Sequence, residues 1–180
     1  MSDCIDCSGT LVGKTLSLRP IRAEDFEALY AAASDPLIWA LHPDPLRYQK
    51  AIFEENVFKP AVASNAAYVA FENASGKLIG SSRFYEYDAS KREIAIGYTF
   101  LARDHWGGRA NSEMKALMLN HAFGSGIDRV WFHVGKDNLR SRKAMEKIGG
   151  QFSHEGAKTM FGKTIDYVFY AIDKPMVKSA

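Results

Sequence analysis

The stretch IAIGYTFLARDHWGGRANSEMKALMLNHAF, residues 94–123, is the most informative in the chain. Residues 94–101 are apolar and β-prone and predict a strand. Trp106-Gly107-Gly108 then breaks the chain. From Asn111 onward, Met114, Leu117, Met118 and Ala122 form one apolar stripe, which predicts a helix over residues 111–123. A strand, a glycine turn and a helix in that order suit an anion cradle. Glycine lets a backbone approach closely, and a helix N-terminus presents unpaired N–H groups with a partial positive charge. Gly-Gly before a helix is also a common turn. Charge favours the cradle: residues 103–147 carry nine Lys or Arg against five Asp or Glu, while the whole chain is only +2. Positive charge thus gathers where a polyphosphate would sit, although several of these side chains also suit a solvated helix face.

Upstream, residues 66–71 and 78–85 read as strands separated by a turn at residues 73–76, and a polar turn at residues 88–91 leads into the strand over 94–101. Together they predict an antiparallel meander. Residues 15–19 alternate and end at Pro20, another strand. Phe26, Leu29 and Tyr30 recur at helical spacing within residues 24–33, behind an acidic first turn. Asp35-Pro36 and His42-Pro43-Asp44-Pro45 are breakers, with Leu37, Ile38 and Trp39 between them showing no clear period. A second helix is expected over residues 47–58, stopping before Pro60. Downstream come a strand over residues 129–134 and a helix capped by Asn138 that runs to Lys147 and ends at Gly149-Gly150. Strands near residues 151–154 and 164–172 close an α+β domain. Residues 11–175 are read as one domain and residues 1–10 as a flexible tail.

The 180 residues, 47% hydrophobic and 24% charged, suit one ordinary domain. A net charge of +2 is too mild to argue for nucleic acid, and no known nucleic-acid motif is present. No apolar run approaches the ~20 residues of a membrane helix, and residues 1–10 do not read as a signal peptide, so a cytoplasmic protein without a membrane is expected. Cys4 and Cys7 form a C-x-x-C pair without a second ligand pair. They read as reduced thiols rather than a redox or metal site, and no metal is expected.

Ile96-Gly97-Tyr98, Trp106-Gly107, Asn138-x-x-Ser141 and Glu146-Lys147-x-Gly149, in this order and spacing, resemble the GNAT N-acetyltransferase superfamily. The branch most resembled is that of the ribosomal-protein N-terminal acetyltransferases (RimJ/RimL-like). Leu16 to Pro20 with Asp25, and Glu155-Gly156 with Gly162 and Asp166 to Tyr170, also fit it. The resemblance runs over residues 16–174. It implies a mixed, mostly antiparallel central sheet of six to seven strands flanked by about four helices. It also implies acetyl-CoA as acyl donor and an amine as acceptor, either a peptide N-terminus or a small molecule. The strand over 94–101 would splay from its neighbour, and pantetheine would pair with the main chain of Phe100, Leu101 and Ala102. The pyrophosphate would meet the N–H groups of Gly107, Gly108, Arg109, Ala110, Asn111 and Ser112, beside Trp106. Asn138 would touch pantetheine and Ser141 would lie near the thiol.

Four positions depart from the family pattern, one being Asn111 where the loop's last small residue is usual. Arg109 stands where a glycine is usual, and is strained there if φ must be positive. Ala95 stands where this branch often has Glu, and Met145 where many members have an acidic Tyr. Ser141 is therefore the expected proton donor to the leaving thiol, and Glu93, two residues before Ala95, the expected base, directly or through water. An exposed edge glutamate is the alternative for Glu93. No cysteine lies near the site, so transfer within a ternary complex is expected. Trp39, Tyr98 and Asp166 are candidate substrate contacts, and residues 36–58, with His42, Tyr48 and Phe53, a candidate acceptor wall. Tyr98, Asp166 and Tyr170 serve equally well as packing. His121 reads as structural, His133 as facing either way, and His105 as a phosphate neighbour. The rival readings are a catalytically silent CoA-binding regulator and a nucleic-acid module. The aromatic content admits a homodimer.

Overall fold

The computed structural model describes residues 4–160 and 162–176. Strands β1 (Leu11–Val12), β2 (Leu16–Pro20), β3 (Ala67–Glu72), β4 (Leu78–Asp88), β5 (Glu93–Leu101), β6 (Arg129–Gly135), β7 (Gln151–Met160) and β8 (Lys163–Asp173) form one sheet. Their order is β1-β2-β3-β4-β5-β6-β8-β7, antiparallel throughout except for the parallel β5–β6 pair. The sheet thus has eight strands where six to seven were expected. The addition is β1, whose two residues are too few to show a period.

Alternation along each strand feeds two cores. Tyr68 and Ala70 point to one face of β3 and Val69 to the other. On the first face, α5 (Ala110–Gly124) contributes Met114, Met118 and Ala122, and α6 (Leu139–Lys147) contributes Met145. They pack on Leu16, Leu18, Phe84, Ile94, Ile96, Val130 and Phe132. On the second face, α1 (Phe26–Ala33), α2 (Pro36–Trp39), α3 (Lys50–Phe53) and α4 (Lys59–Ala63) cover Val69 and Phe100. Among the described residues no helix is long and apolar enough to cross a membrane.

Two expectations need correcting. The helix expected to stop before Pro60 instead continues past it. A 3-10 turn (Pro45–Tyr48) leads into α3, then a π-turn (Glu54–Phe58), then α4 with Pro60 in its first turn. Proline removes one helical N–H and crowds the carbonyl four residues back, and a wider π-turn just before it accommodates both. The segment read as a flexible tail is also packed over its described part. Ile5 and Cys7 are buried in the first core, and His121 Nε2 lies 2.6 Å from the carbonyl of Asp6. Residues 1–3 of that tail lie outside the described residues.

One irregularity shapes the site. Ser81 pairs with Phe100 but Arg83 with Gly97, so β5 carries an extra residue opposite Ser82. At this bulge Tyr98 has φ 52, a left-handed conformation uncommon outside glycine. Bulges bend a strand and end pairing. Accordingly β5 and β6 pair only at Glu93–Arg129, Ile94–Val130 and Ala95–Trp131. Beyond Ala95 they part, and a cleft opens between them.

Candidate active site

One wall of the cleft is the free edge of β5. Phe100 and Leu101 line it, but Ala102 does not. The Ala102 N–H donates to the Ile79 carbonyl at 2.7 Å, and the Leu101 carbonyl accepts from Trp106 Nε1 at 3.0 Å. Of the three residues expected to pair with pantetheine, Ala102 is therefore committed to the sheet.

The cleft leads to the N-terminus of α5. Gly107 has φ 71 and nothing within 4 Å of where its Cβ would lie. Arg109, the N-cap residue, has φ −90 and ψ −13. That is ordinary helical backbone, so arginine stands there without strain. No side chain caps this helix, which leaves its first-turn N–H groups without internal acceptors. Trp106, Gly107, Gly108 and Asn111 line the cleft, whereas Arg109, Ala110 and Ser112 sit at the start of the helix and do not line it. Nearby, His105 lines the cleft with a buried Nδ1 that has no hydrogen-bond partner. Its Nε2 lies 3.7 Å from Glu72 Oε1. An uncapped helix end, an open glycine turn and an orphaned polar atom fit an extended phosphorylated ligand such as CoA.

The opposite wall is β6 and α6. Asn138 Oδ1 accepts the Ser141 N–H at 3.1 Å, capping α6 as the sequence reads. Asn138, Ser141 and Met145 all line the cleft. Arg140 stacks its guanidinium over Trp106, 3.9 Å from the ring centroid, and donates to the Ile38 carbonyl at 3.0 Å. It thereby ties α6 to α2 across the cleft.

The other end of the cleft is walled by α2 and the loop after it. Asp35 caps α2, its Oδ1 accepting the Leu37 N–H at 2.9 Å, with Pro36 at the favoured first position. This places Trp39 in the wall, held by its Nε1 donating to the Ala33 carbonyl at 2.8 Å. Tyr98 is 45% exposed into the opening, with Arg83 stacked 3.6 Å from its ring centroid. His42, Arg47, His133 and Tyr167 complete this end. Burial first, and then the Arg47 charge, lower His42 to about 4. His133 is also lowered to about 4, by burial and then by Lys158. Both rings are neutral near pH 7.

Other candidates fall elsewhere. Glu93 lies at the paired end of β5, where its Oε2 accepts from Trp131 Nε1 at 2.8 Å. It shares a face with Ala95 as alternation requires, but the strands part only beyond that point, so it does not reach the cleft. Asp166 is exposed on β8 and pairs with Ala157, also outside the cleft. Tyr170 is buried in the first core, its hydroxyl accepting from Arg142 Nε at 3.3 Å. His121 packs on Tyr68 and Phe84 as a structural residue.

Residue reasoning counted Lys115 and Arg140 only as part of the basic segment over residues 103–147, and missed Arg47. Arg47 is only 4% exposed and Lys115 only 2%. The Lys115 ammonium donates to Thr99 Oγ1 and, at 3.1 Å, to Ser82 Oγ, and burial lowers it to about 7. Its signal was present: Lys115 sits among the apolar stripe positions Met114 and Met118, where a charge is out of place. With Arg140 these make three basic side chains lining the cleft, and among the described residues no Asp or Glu lines it. Among the described residues no group of three or more His, Cys, Asp or Glu is placed to hold a metal ion.

Known proteins match this architecture. A probable GNAT-family acetyltransferase from Chromobacterium violaceum ATCC 12472 superposes with TM-score 0.82 at 21% identity, covering 96% of this chain and 88% of its own. Mycobacterium smegmatis RimJ, solved with CoA-disulfide, gives 0.73 at 18% identity over 94% and 89%. Spermidine N-acetyltransferase from Vibrio cholerae, solved with CoA and spermine, gives 0.68 at 18% identity over 88% and 95%. No curated protein sequence matches the chain significantly. The acetyltransferase (GNAT) domain family matches residues 15–151, and with three-quarters of its length so accounted for, the chain belongs to the GNAT family of acetyltransferases.

Proposed function

We propose that the cleft binds acetyl-CoA and that the acetyl group passes directly to an α-amino group bound in front of Tyr98. The observation that carries this reading is the parting of β5 from β6 over the uncapped N-terminus of α5. Structural neighbours with this fold hold CoA. The first-turn N–H groups from Gly107 to Ser112 take the pyrophosphate. The edge of β5 that faces the cleft and the side-chain amide of Asn138 take the pantetheine. The thioester supplies an activated acetyl group when bound.

The amine must lose a proton and the departing thiolate must gain one. Ser141, at the start of α6 and on the cleft, is the donor to sulfur. Among the described residues no carboxylate lines the cleft to act as base. His133 is ill placed for it: an ammonium only donates, so Lys158 Nζ, 2.7 Å from Nδ1, leaves the ring proton on Nε2. The cationic lining instead disfavours an ammonium, so the amine arrives neutral and sheds its proton to water. A peptide α-amine, with an ordinary pKa of about 7.7–8.0, pays far less for this than a lysine at about 10.4. The same charge opposes a polyamine.

Isothermal titration with acetyl-CoA tests the donor half. Binding that is weakened at least tenfold by Gly107→Asp, which sets a negative charge at the phosphate end, and also by Asn138→Ala, supports it. A transfer assay over N-terminal peptides and spermidine tests the acceptor half. Binding without turnover on any amine makes the protein a silent CoA-binding regulator, and the absence of binding removes the acetyl-CoA reading.

A further inference from the structure

Arg47 is a buried guanidinium in the acceptor wall, 5.8 Å from the Trp39 ring centroid. Its five N–H donors need acceptors when water is excluded. One side is served: Nε donates to Asp44 Oδ2 at 3.3 Å, an oxygen also claimed by Asn56 Nδ2 at 3.1 Å. The other end is not. Nη1 lies 3.1 Å from His42 Nε2. The Asp44 main-chain N–H donates to His42 Nδ1 at 2.9 Å. A backbone amide only donates, so Nδ1 is the acceptor and the proton of the neutral ring sits on Nε2, facing Arg47. His42 therefore presents a donor to a donor. Nη2 makes no hydrogen bond among the described residues. Among the described residues no acid lines the cleft to complete the set. A planar fork whose outer N–H groups lack a protein acceptor beside the cleft matches a carboxylate in bidentate geometry. His42 Nε2–H is a third donor at the same point.

We propose that Arg47, with His42, is a specificity site for a carboxylate on the acceptor, so that the preferred acceptor is an amine with an acidic group close by. This rests on the acetyl-transfer reading above. The carboxylate has two sources, the α-carboxylate of a free amino acid or an acidic side chain next to a peptide N-terminus.

Steady-state transfer from acetyl-CoA to matched acceptors separates them: alanine against alaninamide, and serine-led peptide amides with Asp against Asn at the second position. The wild-type protein prefers the carboxylate member of one pair at least tenfold in kcat/KM, and that pair identifies the source. Arg47→Met brings this ratio to within twofold of unity. Arg47→Lys, which keeps the charge but not the fork, lowers it at least threefold and serves if the methionine variant does not fold. Asp44→Asn leaves the guanidinium in place, removes its internal counter-charge and raises the ratio. Equal rates within both pairs for the wild type, or a ratio untouched by either Arg47 variant, overturn the proposal while leaving acetyl transfer standing. Titration with acetyl-CoA is run on every variant. A wild-type protein that binds it but acetylates none of the four acceptors, nor any other amine, removes the transfer reading and this inference with it.

Discussion

A lysine amine held in the core by two hydroxyls is the least expected side chain here. Among the described residues Lys115 has no carboxylate partner: its neighbours are Thr99 and Ser82, whose hydroxyls also lie 2.8 Å from each other. Burial lowers it to about 7, whereas a free lysine titrates near 10.4. The folded state thus binds fewer protons than the unfolded chain between those values. Stability must rise with pH through that window, and the full penalty is felt below it. Lys115→Met fills a similar volume and leaves Thr99 and Ser82 to bond each other. It is expected to stabilise the protein at pH 7 by on the order of 1 kcal/mol or more, as burying an uncompensated charge is unfavourable. Urea unfolding from pH 6 to 10 checks both points: the parent midpoint climbs and the variant profile is flatter. A destabilised variant would show that the ammonium is compensated by a partner. Residues whose role is local were legible in the sequence: Asn138 caps its helix, and Gly107 turns the chain. Arg47 was not, and Lys115 showed only as a charge among apolar positions, because their meaning lies in partners brought from elsewhere in the fold. Glu93 was misplaced for the same reason, since alternation gives a face but not the point where two strands part.

Strands β2 to β6 and helices α5 and α6 were readable because each carries its own period. β1 is too short for one, and the π-turn before Pro60 is a compromise between a proline and a continuing apolar face. The bulge in β5 was hidden too, since one extra residue shows only against the partner strand. Two glycines near the cleft separate backbone from steric constraint. A Cβ at Gly80 would fall 2.2 Å from the Phe100 carbonyl oxygen and 2.9 Å from Leu101 Cδ2. A Cβ at Gly107 would meet nothing, and only its φ of 71 resists substitution. Gly107→Ala therefore costs about 1–2 kcal/mol, the price of a left-handed L-residue. Gly80→Ala must push β4 from β5 and costs about 3 kcal/mol or more. Equal losses in urea unfolding would mean that β4 yields freely, and that the edge of β5 along the cleft is softer than its pairing indicates.

The sheet behaves as two parts. β1 to β5 form one and β6, β8 and β7 the other, joined in the sheet by only three residue pairs. Above that seam, α5 and α6 share the first core, and Arg140 reaches from α6 to the Ile38 carbonyl. Short repeats of apolar residues revealed each part, but the seam depends on topology and lay beyond a local reading. A ligand seated between β5 and β6 touches both parts, so its binding energy is felt as stiffening across the seam. At a hundredfold excess over Kd, acetyl-CoA adds about 2.7 kcal/mol to stability. For a chain of this size that raises Tm by about 5–11 °C, at about 2–4 °C per kcal/mol. Hydrogen exchange should locate the gain. Added protection is expected at residues 97–101, at the start of α5 and at residues 132–141, with β1 to β3 little changed, because local opening is governed by the weakest junction. A rise in Tm with protection concentrated away from these edges would place the donor elsewhere. Protection spread evenly over all eight strands would mean that the two parts already open as one unit, and that the three residue pairs at the base of the cleft suffice to hold them together.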